Sequence, residues 1–402
     1  MSTIKTFGTV DERSLEQLKR CMEAGDAEFG VLCADHHLGY SQPIGGGIAY
    51  EGYVSPSGVG YDIGCGNKAA RTELTRADLD ALGGVEVVMA EITRRVSFGM
   101  GVPAAERTDH PVLDRIRNAD FAPQRKLAQL AESQLGTVGS GNHYVNLMED
   151  EQGRIWVGVH FGSRGFGHKT ASGFLALAQG LAFDGRATEG EMDSPPVLFE
   201  VGSELGDGYV IAMELAGEYA YAGRDAAVSK VLEILGAEAT HEVHNHHNFA
   251  WREEHFGRTY WVIRKGCTPA RPGQEGFVGG SMGDESVILE GVDSGENEAA
   301  LFSTVHGAGR VMSRSQAAGR MRRRKGRWEV VRPGLVDWPA VQARLREQGV
   351  VLLGGGADEA PEVYKRLPDV LAAHGDTIRV KHTLRPLGVA MAGRDVVDPY
   401  KD

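Results

Sequence analysis

Three observations predict an α+β fold, with mixed sheets in a single large domain over residues 1–402. Helical and strand periodicities alternate along the chain without a steady βαβ rhythm. No repeat and no long linker divides the 402 residues. Segments rich in His, Gly, Ser and Asn recur from residue 35 to residue 364, so the active site is expected to draw its residues from loops across the whole chain.

The elements follow from the residue pattern in chain order. Asp11 to Ala24 reads as an amphipathic helix with Leu15, Leu18, Cys21 and Met22 on its apolar face. Residues 30–34 read as a buried strand running into Asp35-His36-His37. Residues 76–96 read as one helix, with Thr75 as its cap. Ile155 to His160 reads as a strand that delivers His160 at its end. A long helix is expected over Tyr209–Leu235, strands over Tyr260–Arg264 and Ser286–Leu289, and helices over 337–348 and 360–373.

Composition narrows the function classes. Hydrophobic residues make up 42% and charged residues 24%, as in soluble globular proteins. No apolar run reaches the ~18 residues that span a bilayer, and Met1-Ser2-Thr3-Ile4-Lys5 carries no secretory pattern. Cys21, Cys33, Cys65 and Cys267 are too few for a disulfide framework, so a cytoplasmic protein with reduced thiols is expected, with no membrane partner. A net charge of -12 argues against non-specific coating of nucleic acid. It leaves room for a local basic groove, for which Arg320 to Arg327 is a candidate; the plainer reading of that stretch is a solvated helix face.

The chemistry concentrates in a few segments. Asp62-Ile63-Gly64-Cys65-Gly66 places a carboxylate and a thiol three residues apart in a glycine-rich run that can aim both at one metal. Asn142-His143, His160, His244 to Asn248 and His306 add imidazoles, each near Gly, Ser or Asn. Imidazole, thiolate and carboxylate are the usual ligands of divalent transition metals, and one thiolate can bridge two of them. Taken singly each element has a bland reading: a hydrogen-bonded His, a small buried Cys, a turn-forming Asn. Their joint presence favours a metal site. His306 differs from the rest, because Gly307-Ala308-Gly309-Arg310 follows it. Small residues admit a large ligand to the imidazole and Arg310 offers a fork for phosphate, which suits a His that attacks phosphorus. Arg164, Arg264-Lys265-Gly266 and a possible phosphate nest at Ser281-Met282-Gly283 add phosphate-directed candidates, with surface ion pairing as the plainer alternative.

These segments, in this order, resemble the RtcB family of RNA-splicing ligases over nearly the whole chain. The carrying stretches are Asp35 to Tyr40 with Gln42 to Gly46, Gly60 to Gly66, Gly139 to His143, His160 to Arg164, His246 to Asn248, Arg264 to Gly266, Ser281 to Gly283, His306 to Arg314, and Glu359 to Pro361 with Tyr364-Lys365. The resemblance implies an enzyme that joins RNA 3′-phosphate or 2′,3′-cyclic phosphate ends to 5′-hydroxyl ends, using GTP and two Mn(II) ions, in tRNA splicing or RNA repair. It implies that His306 carries GMP and that Cys65 bridges the metals, with Asp62, His143, His160 and His247 completing their shells. It also implies that Asn142 contacts nucleotide or RNA phosphate, that Ser281, Ser286, Ala308, Gly309 and Tyr364 line the nucleotide pocket, and that Arg164, Lys265 and Arg310 receive RNA phosphates. An archease-like activator is a further candidate partner. By raw affinity a thiolate with three imidazoles prefers Zn(II), so Mn(II) comes from the resemblance and not from the ligands. A metal-dependent RNA-end phosphodiesterase or phosphatase without an adduct, and a non-catalytic RNA-binding protein, are the rival readings.

Two positions depart from the family pattern. Asn146 stands three residues after His143, where members usually carry a Glu that reads guanine. After Leu384-Arg385-Pro386-Leu387-Gly388 no Lys follows at the expected place; Lys401 lies in the tail. Weakened or altered base selectivity is therefore expected, with GTP kept as the nucleotide and the His306 chemistry intact.

Overall fold

Two sheets meet at the ends of the strands that carry the candidate ligands. The computed structural model of the chain describes residues 2–188, 192–324 and 327–393, with backbone only over 321–324 and 327–330. The larger sheet runs Glu275–Val278, Ser286–Gly291, Ile378–Met391, Tyr144–Asp150, Ile155–Phe161, Gly66–Arg71, His241–His246, and Val351–Leu353 adds a parallel pairing to Ile378–Met391. The second sheet runs Thr3–Thr6, Phe29–His37, Ile44–Tyr50, Arg258–Lys265, Asn248–His255, with only its first pair parallel. The architecture is α+β with mixed sheets.

Register explains why distant segments converge. Gly66 pairs with Phe161 on one side and with His246 on the other. Tyr144 pairs with His160. Cys65, His143, His160 and His247 are thereby brought to one end of four adjacent strands. The second sheet delivers Asp35 near the end of Phe29–His37 and Lys265 at the end of Arg258–Lys265. His306 follows Ser303–Val305, which pairs with Cys267–Pro269.

Helices cover these sheets. Asp11 caps Glu12–Ala24 by accepting the Ser14 N–H at 2.9 Å, and Leu18, Cys21 and Met22 are buried. Ser203 caps the long helix Glu204–Leu235, which ends at left-handed Gly236. Its buried face carries Tyr209, Met213, Tyr219 and a run of Ala and Gly, and it packs into two hydrophobic clusters. Among the described residues no helix is long and apolar enough to cross a membrane.

Three expected elements are corrected. The helix over 76–96 is two helices, Arg76–Ala81 and Val85–Arg95, because Gly83 and Gly84 both take positive φ between them. The helix over 360–373 is a short 3₁₀ turn at Pro361–Val363 and a helix at Leu367–Ala372, whose start holds Pro368. The basic stretch is not a helix face: Gly319–Arg324 and Arg327–Pro333 form an antiparallel hairpin. Lys325, Gly326 and the tail with Lys401 lie outside the described residues.

Candidate metal and nucleotide site

Backbone turns aim the first ligands. Ser55 caps the short helix Pro56–Val59, and the chain then bends through Gly60 and Gly64, both at positive φ. Gly64 sits against Gly217 and Ala220 of the long helix, where a methyl group would meet both at 3.1–3.2 Å. Asp62 and Cys65 emerge from this bend. Asp62 Oδ2 lies 3.2 Å from His143 Nε2. Cys65 Sγ lies 3.7 Å from His143 Nε2 and 3.4 Å from His160 Nε2. The His160 and His247 Nε2 atoms are 3.4 Å apart.

Hydrogen bonding on the far side of His160 fixes its tautomer. Its Nδ1 lies 3.0 Å from the carbonyl oxygen of Asn142, so Nδ1–H donates there and the Nε2 lone pair faces Cys65 and His247. The Cys65, His143 and His160 donor atoms all lie within 4.8 Å of one another, and all three residues are buried. His247 Nδ1 is buried without a partner among the described residues. Burial pushes the His160 imidazole down to about 3, with charge on His143 adding to it, and drives His247 well below its usual value. Burial would raise the Asp62 carboxyl, but the hydrogen bond and charge of His143 hold it well below the carboxylate range. Burial, then Asp62, push the Cys65 thiol up. Imidazoles, a carboxylate held ionised and a thiol pointed at one small volume are the donor set a divalent transition metal takes.

His306 faces this cluster, its ring centroid 4.9 Å from that of His247. The fully buried Asp35 carboxylate receives three donors through Oδ2, two from His306 and one from its neighbour: the ring Nδ1 at 2.6 Å, the His306 backbone N–H at 3.0 Å and the Gly307 N–H at 3.4 Å. Burial would raise the Asp35 carboxyl; the His306 charge and these hydrogen bonds hold it below its ordinary value. With Nδ1–H tied to Asp35, the Nε2 lone pair is the free end of the ring. Gly309 at φ 77 makes the approach to Asp35 possible, since a methyl group there would collide with the Asp35 backbone.

One cavity of about 1240 Å³ joins these groups. Of the residues expected at the site, Asp62, Cys65, Asn142, His143, Asn146, His160, His247, Lys265, Ser281, His306, Ala308, Gly309, Arg310 and Tyr364 line it. Arg164 and Ser286 do not. Arg164 stands behind His143, its Nη1 3.3 Å from His143 Nδ1, on a backbone at φ 53. The Ser286 hydroxyl accepts the Gly280 N–H at 3.0 Å and so shapes the Gly279–Gly283 loop. Lys265 Nζ donates to the Tyr40 carbonyl at 2.5 Å. Arg310 is held by Glu359, the Asp358 carbonyl and the Tyr364 hydroxyl. Arg264 turns away from the cavity into a bidentate pair with Glu253 at 2.9 Å, which corrects its reading as a phosphate ligand.

Two contributors escaped the sequence reading. Asp35 was visible as a carboxylate at the end of an apolar strand, but nothing in the sequence joins it to His306. Arg224 is fully buried in the long helix and donates to the Gly64 and Phe161 carbonyls, His244 and His246, tying the ligand-bearing segments together. Its only sequence signal is an Arg-Asp pair, Arg224-Asp225, inside a stripe of Ala and Gly.

The family model described as tRNA-splicing ligase RtcB matches residues 22–122 and 114–392. RNA-splicing ligase RtcB of Escherichia coli K12 is 32% identical over 389 residues, covering 88% of each chain. The tRNA-splicing ligase RtcB of Thermococcus kodakarensis is 30% identical over 462 residues, covering 94% of this chain and 91% of its own. That of Archaeoglobus fulgidus is 31% identical over 438 residues, covering 90% and 87%.

Proposed function

The chain belongs to the RtcB family, and on that premise we propose that it joins RNA 3′-phosphate or 2′,3′-cyclic phosphate ends to 5′-hydroxyl ends through a nucleotide carried on His306. It uses GTP and two Mn(II) ions, in cytoplasmic tRNA splicing or RNA repair. The observation that carries the reading is the pairing of Asp35 with His306 Nδ1 at 2.6 Å, opposite a cluster of metal donors.

The residues divide the work. His306 Nε2 attacks the α-phosphorus; the bond to the β-phosphate oxygen breaks and pyrophosphate leaves. Asp35 keeps the Nδ1 proton and balances the positive charge that develops on the ring. An oxygen of the RNA 3′-phosphate then attacks the same phosphorus and Nε2 leaves, so the RNA end carries a good leaving group. The 5′-hydroxyl oxygen attacks the 3′-phosphorus, its proton is lost to solvent and GMP departs. A cyclic phosphate is first opened by water. Asp62, Cys65, His143, His160 and His247 would hold the metals, and bound metals supply charge neutralisation at the phosphates. Lys265 and Arg310 line the cavity and would receive RNA phosphate, Arg310 by exchanging its contacts with Glu359 and Tyr364, and Arg164 reaches the site through His143.

Incubation with α-labelled GTP and Mn(II), then denaturing electrophoresis, tests this. An acid-labile adduct that is absent from His306→Ala is expected. Turnover of RNA ends without any adduct would replace the ligase by a metal-dependent phosphodiesterase or phosphatase. Multiple turnover measured with and without an archease-like protein tests that partner.

A further inference from the structure

Asn146 carries an unexplained polar group. The residue is 96% buried (relative exposure 4%), and its Oδ1 has no hydrogen-bond partner among the described residues. It lines the same cavity as His306. Its neighbours make it conspicuous. In the larger sheet it pairs with Gly158 on one side and Val389 on the other, and Tyr144 and Met148 flank it on the same face of its strand. Val389, Met391 and Met282 also line the cavity, so the carboxamide stands in a largely apolar wall. An unpaired buried amide oxygen costs free energy unless something fills it, and an apolar slot with a few convergent polar groups, here the Asn146 carboxamide and the Tyr144 hydroxyl, likewise unpaired among the described residues, is what a planar heterocycle takes.

We propose that Asn146 reads the base of the nucleotide and that the site takes adenine as well as guanine nucleotides, an inference that rests on the His306 nucleotidyl reading above. The chemistry of the edge decides it. A carboxamide offers one acceptor and one donor side by side. Adenine presents its 6-amino donor beside the N1 acceptor, so Oδ1 and Nδ2 match it with two hydrogen bonds. Guanine presents O6 beside N1–H and is matched equally with the partners exchanged. The edge unique to guanine is the pair of donors at N1 and N2, which needs two acceptors. A carboxylate supplies them; Asn146 does not.

Competition between α-labelled GTP and ATP for His306, with Mn(II), measures the preference. Both nucleotides label the wild-type chain within about tenfold of each other. Asn146→Asp, nearly isosteric, shifts the ratio toward GTP by roughly ten- to hundredfold, the size of one bidentate base contact. Asn146→Ala weakens both labels, and thermal unfolding by circular dichroism shows that each variant folds. A wild-type GTP preference of about a thousandfold, or a ratio unmoved in folded Asn146→Asp, overturns the proposal. Equilibrium binding of GTP and ATP to His306→Ala gives the same ratio without the adduct. Comparable binding of both nucleotides with no labelling of the wild type would count against the His306 chemistry and for the base reading. Binding of neither would overturn both.

Discussion

Two of the buried polar clusters among the described residues are built on opposite principles. Around Arg264 every guanidinium nitrogen is answered: Nη1 and Nη2 fork onto the two Glu253 oxygens at 2.9 Å, Nε donates to Ser303 at 2.8 Å, Nη2 donates to the Leu301 carbonyl at 2.7 Å, and His255 meets Glu253 at 2.8 Å. Around Cys65 the lone pairs point at one another, with two imidazole Nε2 atoms 3.4 Å apart and a thiol 3.4 Å from one of them. Donors and acceptors that cancel hold a fold together. Acceptors that converge hold something that is not protein. The contrast is sharpest between neighbours: Arg264 and Lys265 are adjacent on one strand, yet alternation sends the first to Glu253 and the second to the cavity.

The comparison breaks if the two clusters respond alike to mutation. Removing a converging ligand should cost binding and leave the fold intact. Cys65→Ala is expected to weaken Mn(II) and Zn(II) binding by about a hundredfold or more, beyond the ~10–100-fold that loss of a supporting partner costs, with metal-free thermal stability preserved. Calorimetric titration with each metal beside a melting curve checks this; unchanged affinity would remove Cys65 from the metal site. Removing a cancelling partner should cost the fold. Arg264→Met leaves Glu253 buried without its guanidinium and is expected to lose about 3–5 kcal/mol in urea unfolding, largely recovered when Glu253→Leu is added.

The pH response gives the smallest effect and the finest test. Burial would raise the Glu253 carboxyl, but Arg264 and the hydrogen bond from His255 hold it at about 2, against an ordinary value of 4.5. A carboxyl depressed on folding contributes stability that is complete above its unfolded value and disappears as pH falls through the folded one. Unfolding free energy should therefore fall between pH 4.5 and about 2. In the Arg264→Met, Glu253→Leu double variant this contribution is absent, and the fall over that range should be shallower. Equal slopes would show that other carboxylates carry the acid sensitivity.

Much of this was readable in the chain. His143, His160, His247 and His306 each stand in or beside a glycine-, serine- or asparagine-bearing turn, and the turn chemistry marks them as loop or strand-end residues that can be aimed. What sequence could not supply was direction across space. Arg264 and Lys265 look alike on paper, and only the pleat separates them. Arg310 reads as a free fork, whereas the fold closes it onto Glu359 and Tyr364. The helix over 76–96 was overextended because its apolar period continues across Gly83-Gly84, where the backbone turns. Asp35 was missed as the partner of His306 because no local pattern reports a contact across so many residues.

That contact has a consequence in time. Asp35 and His306 are 271 residues apart. At ~5–20 residues per second, synthesis of one follows the other by roughly 14 to 54 seconds. Asp62, Cys65, His143 and His160 all emerge in the first part of that interval, so a half-made chain already contains most of the metal corner and none of the nucleophile. Whatever an unfinished chain picks up, it has no His306 to activate an RNA end.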